Sequence, residues 1–331
     1  MTAPLALTSG DPGGVGPEIA LNAFARRAEL GLAPFIVFAD PALMRARAAA
    51  LGLCVDIVES DCAAAHDIFA RALPVAPLAA RATGAPGASS PADAPAIVES
   101  IERAVAAVFA GEARAVVTNP ISKQALYAAG FRHPGHTEFL ADLAQRHTGA
   151  AARPVMMIWS RELAVVPATI HIPLRDVAGA LTRALLVETG EIVARDLRDR
   201  FGLARPRLAF SGLNPHAGEG GTIGREEIDI IAPAVADLRA AGFEAAGPLS
   251  ADTMFHPAAR ARYDAAICMT HDQALIPVKT LAFDTGVNVT LGLPFVRASP
   301  DHGTAFDIAG AGRASPASLI EALRLAARLT A

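Results

Sequence analysis

Cysteine is scarce in this chain: Cys54, Cys62 and Cys268 are the only three among 331 residues. An odd number with no CxxC spacing excludes a disulfide framework and a cysteine-type zinc site. The three read as free thiols in a reducing cytoplasm, and Cys268, inside the apolar run AAICM, is expected to be buried and inert. Positive charge is not in excess either. Lys and Arg number 29 against 33 Asp and Glu, a net charge of −4. There is no basic footprint for nucleic acid, so any anionic ligand must be met by local Lys and Arg. Although mean hydropathy is +0.35, no uncharged apolar run reaches the roughly 18 residues a membrane span needs. The start, MTAPLALTSGDPGG, lacks the basic opening and long apolar stretch of a secretory signal, which points to the cytoplasm. No internal repeat is present, and no carboxylate-rich motif for a pair of metals.

What is present is a large apolar fraction, 52% of residues, enough for more than one core, and two domains are expected. Short apolar runs bounded by turn residues (PLALTS, PFIVFAD, RAVVT, RPVMMIWS, RLAFS, DAAICMT) alternate with longer helix-like stretches. In one of these, Ile97, Ile101, Val105 and Val108 recur at helical spacing and Gly111 supplies a stop. Pro17 suits the first turn of the first helix. The alternation predicts an α/β fold with a mostly parallel sheet. RATGAPGASSPADAP, the loosest composition in the chain, reads as an exposed loop.

Three histidines follow three separate apolar runs, each in a polar, turn-forming context: His171 in ATIHIPL, His216 in GLNPHAGEGG and His271 in MTHDQ. Loops that follow strands lie at the carboxyl edge of an open sheet, where ligands bind. Three imidazoles converging there can hold one divalent cation and leave a position for substrate. Each alone reads equally as a hydrogen-bonded loop residue.

Other loops carry further candidates. Gly10–Pro17 is a Gly-rich strand-to-helix loop, yet it lacks the Gly-Lys-Ser/Thr of a P-loop and the G-x-G-x-x-G of a dinucleotide fingerprint. It is a phosphate loop or a tight turn that needs glycine dihedrals. Lys123 follows Thr118-Asn119-Pro120-Ile121-Ser122 and is solvated surface or part of a site. His136 and Thr137 open a helix, as ligand contacts or as its cap. Lys279 and Arg297 are cations in apolar surroundings, suited to an anionic ligand or to pairing.

Taken in order, LTSGDPGGVGPEI, VTNPISK, GHTEFLA, HIPL, GLNPHAGEGGTIGREE, ADTMF, THDQALIPVKTLAFDTGVNVTLGLPF and DHGTAFDIAG resemble the 4-hydroxythreonine-4-phosphate dehydrogenases over residues 7–310. The resemblance implies a two-domain fold like that of the isocitrate and isopropylmalate dehydrogenases, with the active site in the interdomain cleft. It implies a discontinuous first domain, 1–120 with 283–331, and a second, 121–282, that carries a dimer interface. It implies one divalent cation per subunit (Zn, Co or Mg) on His171, His216 and His271. Substrate contacts fall on His136, Thr137, Lys279, Asn288 and Arg297, with Lys279 the candidate catalytic group. NAD(P) falls on the loop of His302, Gly303, Thr304 and Asp307. The implied protein is a homodimer with shared active sites. It oxidises 4-phosphohydroxy-L-threonine to a β-keto acid that decarboxylates, in pyridoxal 5'-phosphate biosynthesis. Paralogues that act on threonate or erythronate 4-phosphates, or on a dihydrodiol carboxylate, share the motifs. A metal-dependent phosphatase and a non-catalytic phosphometabolite sensor are the readings from other classes.

Overall fold

The computed structural model describes residues 2–133 and 135–331. Twelve strands are found among them: β1 Leu5–Thr8, β2 Phe35–Ala39, β3 Ile57–Glu59, β4 Leu73–Pro77, β5 Val116–Val117, β6 Val155–Trp159, β7 Ala164–Pro167, β8 Arg207–Ser211, β9 Glu244–Leu249, β10 Ala265–Cys268, β11 Val287–Leu291 and β12 Arg297–Pro300. The chain divides into two compact units, residues up to 154 with 293–331, and residues 155–292.

In the first unit the strand order is β3-β4-β2-β1-β5-β12, and every pairing is parallel. β1 and β2 are buried along their whole length, which is why both read as continuous apolar runs, the mark of a sheet covered on both faces. Helix Gly16–Ala25 connects β1 to β2 with Pro17 in its first turn. Helix Ala94–Phe109 returns the chain to β5, burying Ile97, Ile101 and Val105. Gly111, at φ 74°, ends it in the left-handed conformation that glycine adopts without strain.

Segment 121–154 packs within this first unit, not with the second domain where the break at 120 would put it. Leu126, Phe139, Leu140, Leu143 and Ala144 share one buried cluster with Ile97, Ile101 and Val116. Their apolar contacts, about 25 cal/mol per Å² of surface removed from water, hold helix His136–Thr148 there.

In the second unit the order is β11-β6-β7-β10-β8-β9. β7, β10, β8 and β9 are parallel, and β6 runs antiparallel to both β7 and β11. Pairing of β11 with β6 carries residues 287–291 into this unit, past the expected break at 282. Ile158, Val165, Ala209, Ala266 and Cys268 form its core with Ala274 and Val278 of helix His271–Ala282. Cys268 is fully buried, and burial pushes its thiol up to about 12, so it is inert as expected. No helix among the described residues is long and apolar enough to cross a membrane.

Candidate active site

The second unit delivers the three histidines to one edge. β7, β10 and β8 are adjacent parallel strands, and His171, His271 and His216 lie in the segments that follow their carboxyl ends. Two hydrogen bonds tie the first two segments together: Ala168 N–H to Cys268 O at 2.7 Å, and Thr169 Oγ–H to Met269 O at 2.7 Å. The imidazoles of His171 and His271 are thereby brought to 5.8 Å between ring centres. They line a cavity of about 250 Å³ with Thr169, Ile172, Thr270 and Asp272. That separation fits two nitrogens around one cation at about 2.1 Å from each. His271 is the first residue of its helix, behind a complete capping box made by Thr270 and Gln273. Its Nδ1 lies 2.8 Å from Asp272 Oδ1, the carboxylate contact that fixes ring and tautomer in metal-binding histidines and leaves Nε2 outward.

His216 is placed on the third strand end but is not gathered with the pair. Among the described residues, no three His, Cys, Asp or Glu side chains come together in a metal-holding group. Residues 216–220 form a left-handed turn, with φ of 54° at His216, 53° at Ala217 and 43° at Glu219. Such a turn costs about 1–2 kcal/mol at each non-glycine residue, and His171 shares the strain at φ 51°. Strain of this kind concentrates at functional sites, where surrounding structure enforces it. Here the enforcement is visible. The Asn214 backbone N–H and side-chain amide bond the carboxylate of buried Glu227 at 2.7 and 3.0 Å. Gln273 Nε2 donates to Gly212 O at 3.0 Å, linking this loop to the helix that begins at His271. Lys279 lies eight residues further along that helix, about 12 Å of rise, with its ammonium 5.5 Å from the Phe283 ring centre. Asn288 lies on β11, half-buried, opposite Ile158.

The first unit carries the anion-binding candidates. β1 is flanked by β2 on one side and β5 on the other, so loops leaving β1 and β5 diverge at a switch point. Arg297, on β12 beside β5, is 4% exposed. Its Nε and Nη2 donate to buried Thr118 Oγ at 3.1 and 2.6 Å. Burial pushes its guanidinium down to about 10. His136 opens helix His136–Thr148, whose N-cap is Gly135 and whose start has no side-chain cap. Thr137 therefore does not cap it, and the open N–H groups are available to an anion. The Nε2 of His136 is buried with no hydrogen-bond partner among the described residues. Burial, reinforced by Arg297 and Lys123, holds the imidazole well below its ordinary range, so it is neutral at pH 7. An orphaned buried ring nitrogen, a buried guanidinium and an uncapped helix start are together suited to a negatively charged group.

The Gly-rich loop is not chiefly a turn that needs glycine dihedrals. Among its glycines only Gly10 has a positive φ, 70°, and residues 10–17 are all buried. A Cβ on Gly13 would stand 1.8 Å from Ala88 O, and one on Gly14 2.9 Å from Thr304 O. Close approach of backbones is what requires glycine here. The loop thus supports the segment after β12: Val15 N–H donates to Thr304 O at 3.0 Å. Fully buried Glu18 accepts the N–H groups of Gly310 at 2.8 Å and Ala314 at 3.3 Å. Buried Arg47 donates to Pro12 O and Gly14 O. His302 and Gly303 remain exposed above this support, as does Asp307, with Thr304 half-buried. Thr118, Glu18, Arg47 and Gln273 escape a reading of the sequence, because each acts on a backbone or side chain far away in the chain.

Residues 32–326 match the family model of the pyridoxal phosphate biosynthetic protein PdxA. The 4-hydroxythreonine-4-phosphate dehydrogenase of Xanthobacter autotrophicus is 60% identical over 327 residues, covering 99% of this chain and 93% of that one. The crystal structure of the same-named enzyme from Klebsiella pneumoniae superposes with a TM-score of 0.87 at 37% identity, over 99% of this chain and 100% of that one. A terephthalate 1,2-cis-dihydrodiol dehydrogenase from Burkholderia xenovorans is more distant, with a TM-score of 0.65 and 30% identity over 98% and 97% of the two chains. This chain belongs to the PdxA family of pyridoxal phosphate biosynthetic proteins, among the 4-hydroxythreonine-4-phosphate dehydrogenases.

Proposed function

We propose that the chain oxidises 4-phosphohydroxy-L-threonine, with NAD(P) as acceptor, to 2-amino-3-oxo-4-phosphooxybutanoate, which decarboxylates to 3-amino-2-oxopropyl phosphate. The observation that supports this reading best is in the first unit: buried Arg297 acts electrostatically on neutral His136, which opens a helix with no side-chain cap. This anion site is assigned to the substrate phosphate. Thr118 fixes the guanidinium in one orientation, so little further side-chain freedom is lost when the charge meets an anion. His136, being neutral, offers one N–H donor to the phosphate.

The reacting hydroxyl is assigned to the histidine edge. A divalent cation (Zn, Co or Mg) would be held by the His171–His271 pair, with His216, which this structure leaves apart from them, as the third ligand the reading requires, and it would supply Lewis acidity that lowers the hydroxyl pKa. NAD(P) would lie against His302, Gly303, Thr304 and Asp307 and supply the hydride acceptor. Asp272 orients the His271 ring. Lys279 is assigned to hold or take the hydroxyl proton, and Asn288 to orient the same end of the substrate.

A homodimer with shared sites and a cytoplasmic location complete the proposal. Leu174, Phe283, Ile276 and Ile172 are exposed by 78, 71, 65 and 39% in the segments that carry His171 and His271, and a second copy would cover them.

The test is dinucleotide reduction with 4-phosphohydroxy-L-threonine, with and without chelator, on the wild type and on His216→Ala. NADH formation that both chelator and substitution abolish supports the reading. Turnover only with a threonate or erythronate phosphate moves the chain to a paralogous reaction. The relationship to the terephthalate dihydrodiol enzyme makes a dihydrodiol carboxylate the second substrate to try, and absence of reduction with all of these overturns the proposal.

A further inference from the structure

Lys123 begins helix Lys123–Ala128, directly after the segment that leaves β5. That segment is rigidly held. Asn119 donates from its side-chain amide to Thr8 O at 2.9 Å and from its backbone to Thr8 Oγ at 3.1 Å. Pro120 O accepts the N–H of Asp11 at 2.8 Å. The buried Asp11 carboxylate accepts the Ser122 N–H, the residue just before Lys123.

The Lys123 ammonium is consequently brought to the start of helix His136–Thr148. A Cβ placed on buried Gly135 would lie 3.3 Å from Lys123 Nζ and 2.8 Å from Glu138 Oε2. Glycine at 135 therefore leaves room for the ammonium beside the helix N-terminus, with the Glu138 carboxylate as its neighbour. Lys123 also acts electrostatically on His136, as Arg297 does. Two cations on separate elements thus act on one neutral imidazole at the start of that helix.

We propose that Lys123 is a further substrate-contacting cation of this anion site and sets its preference for a doubly charged phosphate ester over a singly charged carboxylate. The inference rests on the reading of His136 and Arg297 as the phosphate site. A planar guanidinium alone suits a carboxylate as well as a phosphate. A second, mobile point charge is matched to the second negative charge and third oxygen of a phosphate. Lys123 is exposed, so it meets the ligand from the solvent side while Arg297 meets it from the sheet.

The test compares Lys123→Met, Lys123→Gln, Lys123→Arg and Arg297→Met with wild type. It reads kcat and KM for 4-phosphohydroxy-L-threonine and the half-saturating concentration of inorganic phosphate from its effect on melting temperature. The expected result for Lys123→Met and Lys123→Gln is about a tenfold or greater rise in KM and in the phosphate constant, as for loss of one charge-assisted hydrogen bond. Their kcat should stay within about threefold, and Lys123→Arg should restore most of the loss. If both Lys123 variants leave KM and the phosphate constant unchanged while Arg297→Met raises them, Lys123 is not a ligand and the phosphate site stands. If Arg297→Met leaves them unchanged as well, the site itself is misassigned and the proposal falls with it.

Discussion

Thr118 and Arg297 are a buried pair in which one hydroxyl oxygen accepts from both Nε and Nη2 of the guanidinium, at 3.1 and 2.6 Å. Arg297 opens β12 and Thr118 directly follows β5, its parallel neighbour, and Thr118 N–H also donates to Ala298 O at 3.0 Å. Orientation of Arg297 is thereby built into the sheet. Thr118→Val keeps the shape and removes the acceptor. Hydrogen bonds to charged groups are worth about 1.5–3 kcal/mol, so KM for the phosphorylated substrate should rise roughly 10- to 100-fold while kcat changes little. A kcat loss equal to the loss in kcat/KM would show that the pair acts on the transition state instead.

Glu18 supports the segment after β12, the proposed dinucleotide loop. Its two oxygens accept the N–H groups of Gly310 and Ala314. Glu18→Gln keeps the volume but replaces one acceptor by a donor that faces an N–H. The expected outcome is a rise of about tenfold in KM for NAD(P), with KM for the phosphorylated substrate unchanged, and a loss of about 1–3 kcal/mol of stability by denaturant titration. Equal rises in both KM values would point to a general loosening of the first unit.

Asp272 holds the His271 ring at 2.8 Å. Removing such a carboxylate from behind a metal-binding histidine costs about 10- to 100-fold in metal affinity. Asp272→Asn should therefore need a correspondingly higher free zinc or cobalt concentration for half-maximal binding, measured by competition with a chromophoric chelator. Unchanged affinity would place the cation elsewhere than on His271.

Acid should weaken the fold through His136. Burial depresses its folded-state pKa below the ordinary value, with Arg297 and Lys123 adding to the effect. Below about pH 6.5 the unfolded chain binds a proton that the folded chain refuses. Stability from this group is thus complete above that pH and is lost as pH falls below it. Melting temperature should drop between about pH 7 and 5, and His136→Asn should flatten that part of the profile. Added inorganic phosphate should oppose the drop, because an anion beside the imidazole favours its charged form.

The α/β class was legible because burial on both faces of β1, β2 and β10 demands continuous apolar runs. β3, β4, β7, β9, β11 and β12 were not singled out. β3 has only three residues and is part-exposed at an edge, and β7 and β12 have four each, so runs of this length carry little periodicity. The division of the chain was harder. Helix His136–Thr148 is amphipathic wherever it docks, and only its packing against Ile97 and Ile101 assigns it to the first unit.

By itself the sequence determined which side chains stand at strand ends. A strand must be apolar, its exit loop must be polar, and so the polar segments of His171, His216 and His271, each after an apolar run, fall at one sheet edge. It could not decide which of them meet. His171 and His271 approach through the Thr169–Met269 hydrogen bond, whereas His216 is held in a left-handed turn by Glu227. Nor could it decide why Gly13 and Gly14 are glycine, since the atoms a side chain would strike belong to Ala88 and Thr304. Such contacts join residues distant in the chain, and no local pattern encodes a partner that only folding supplies.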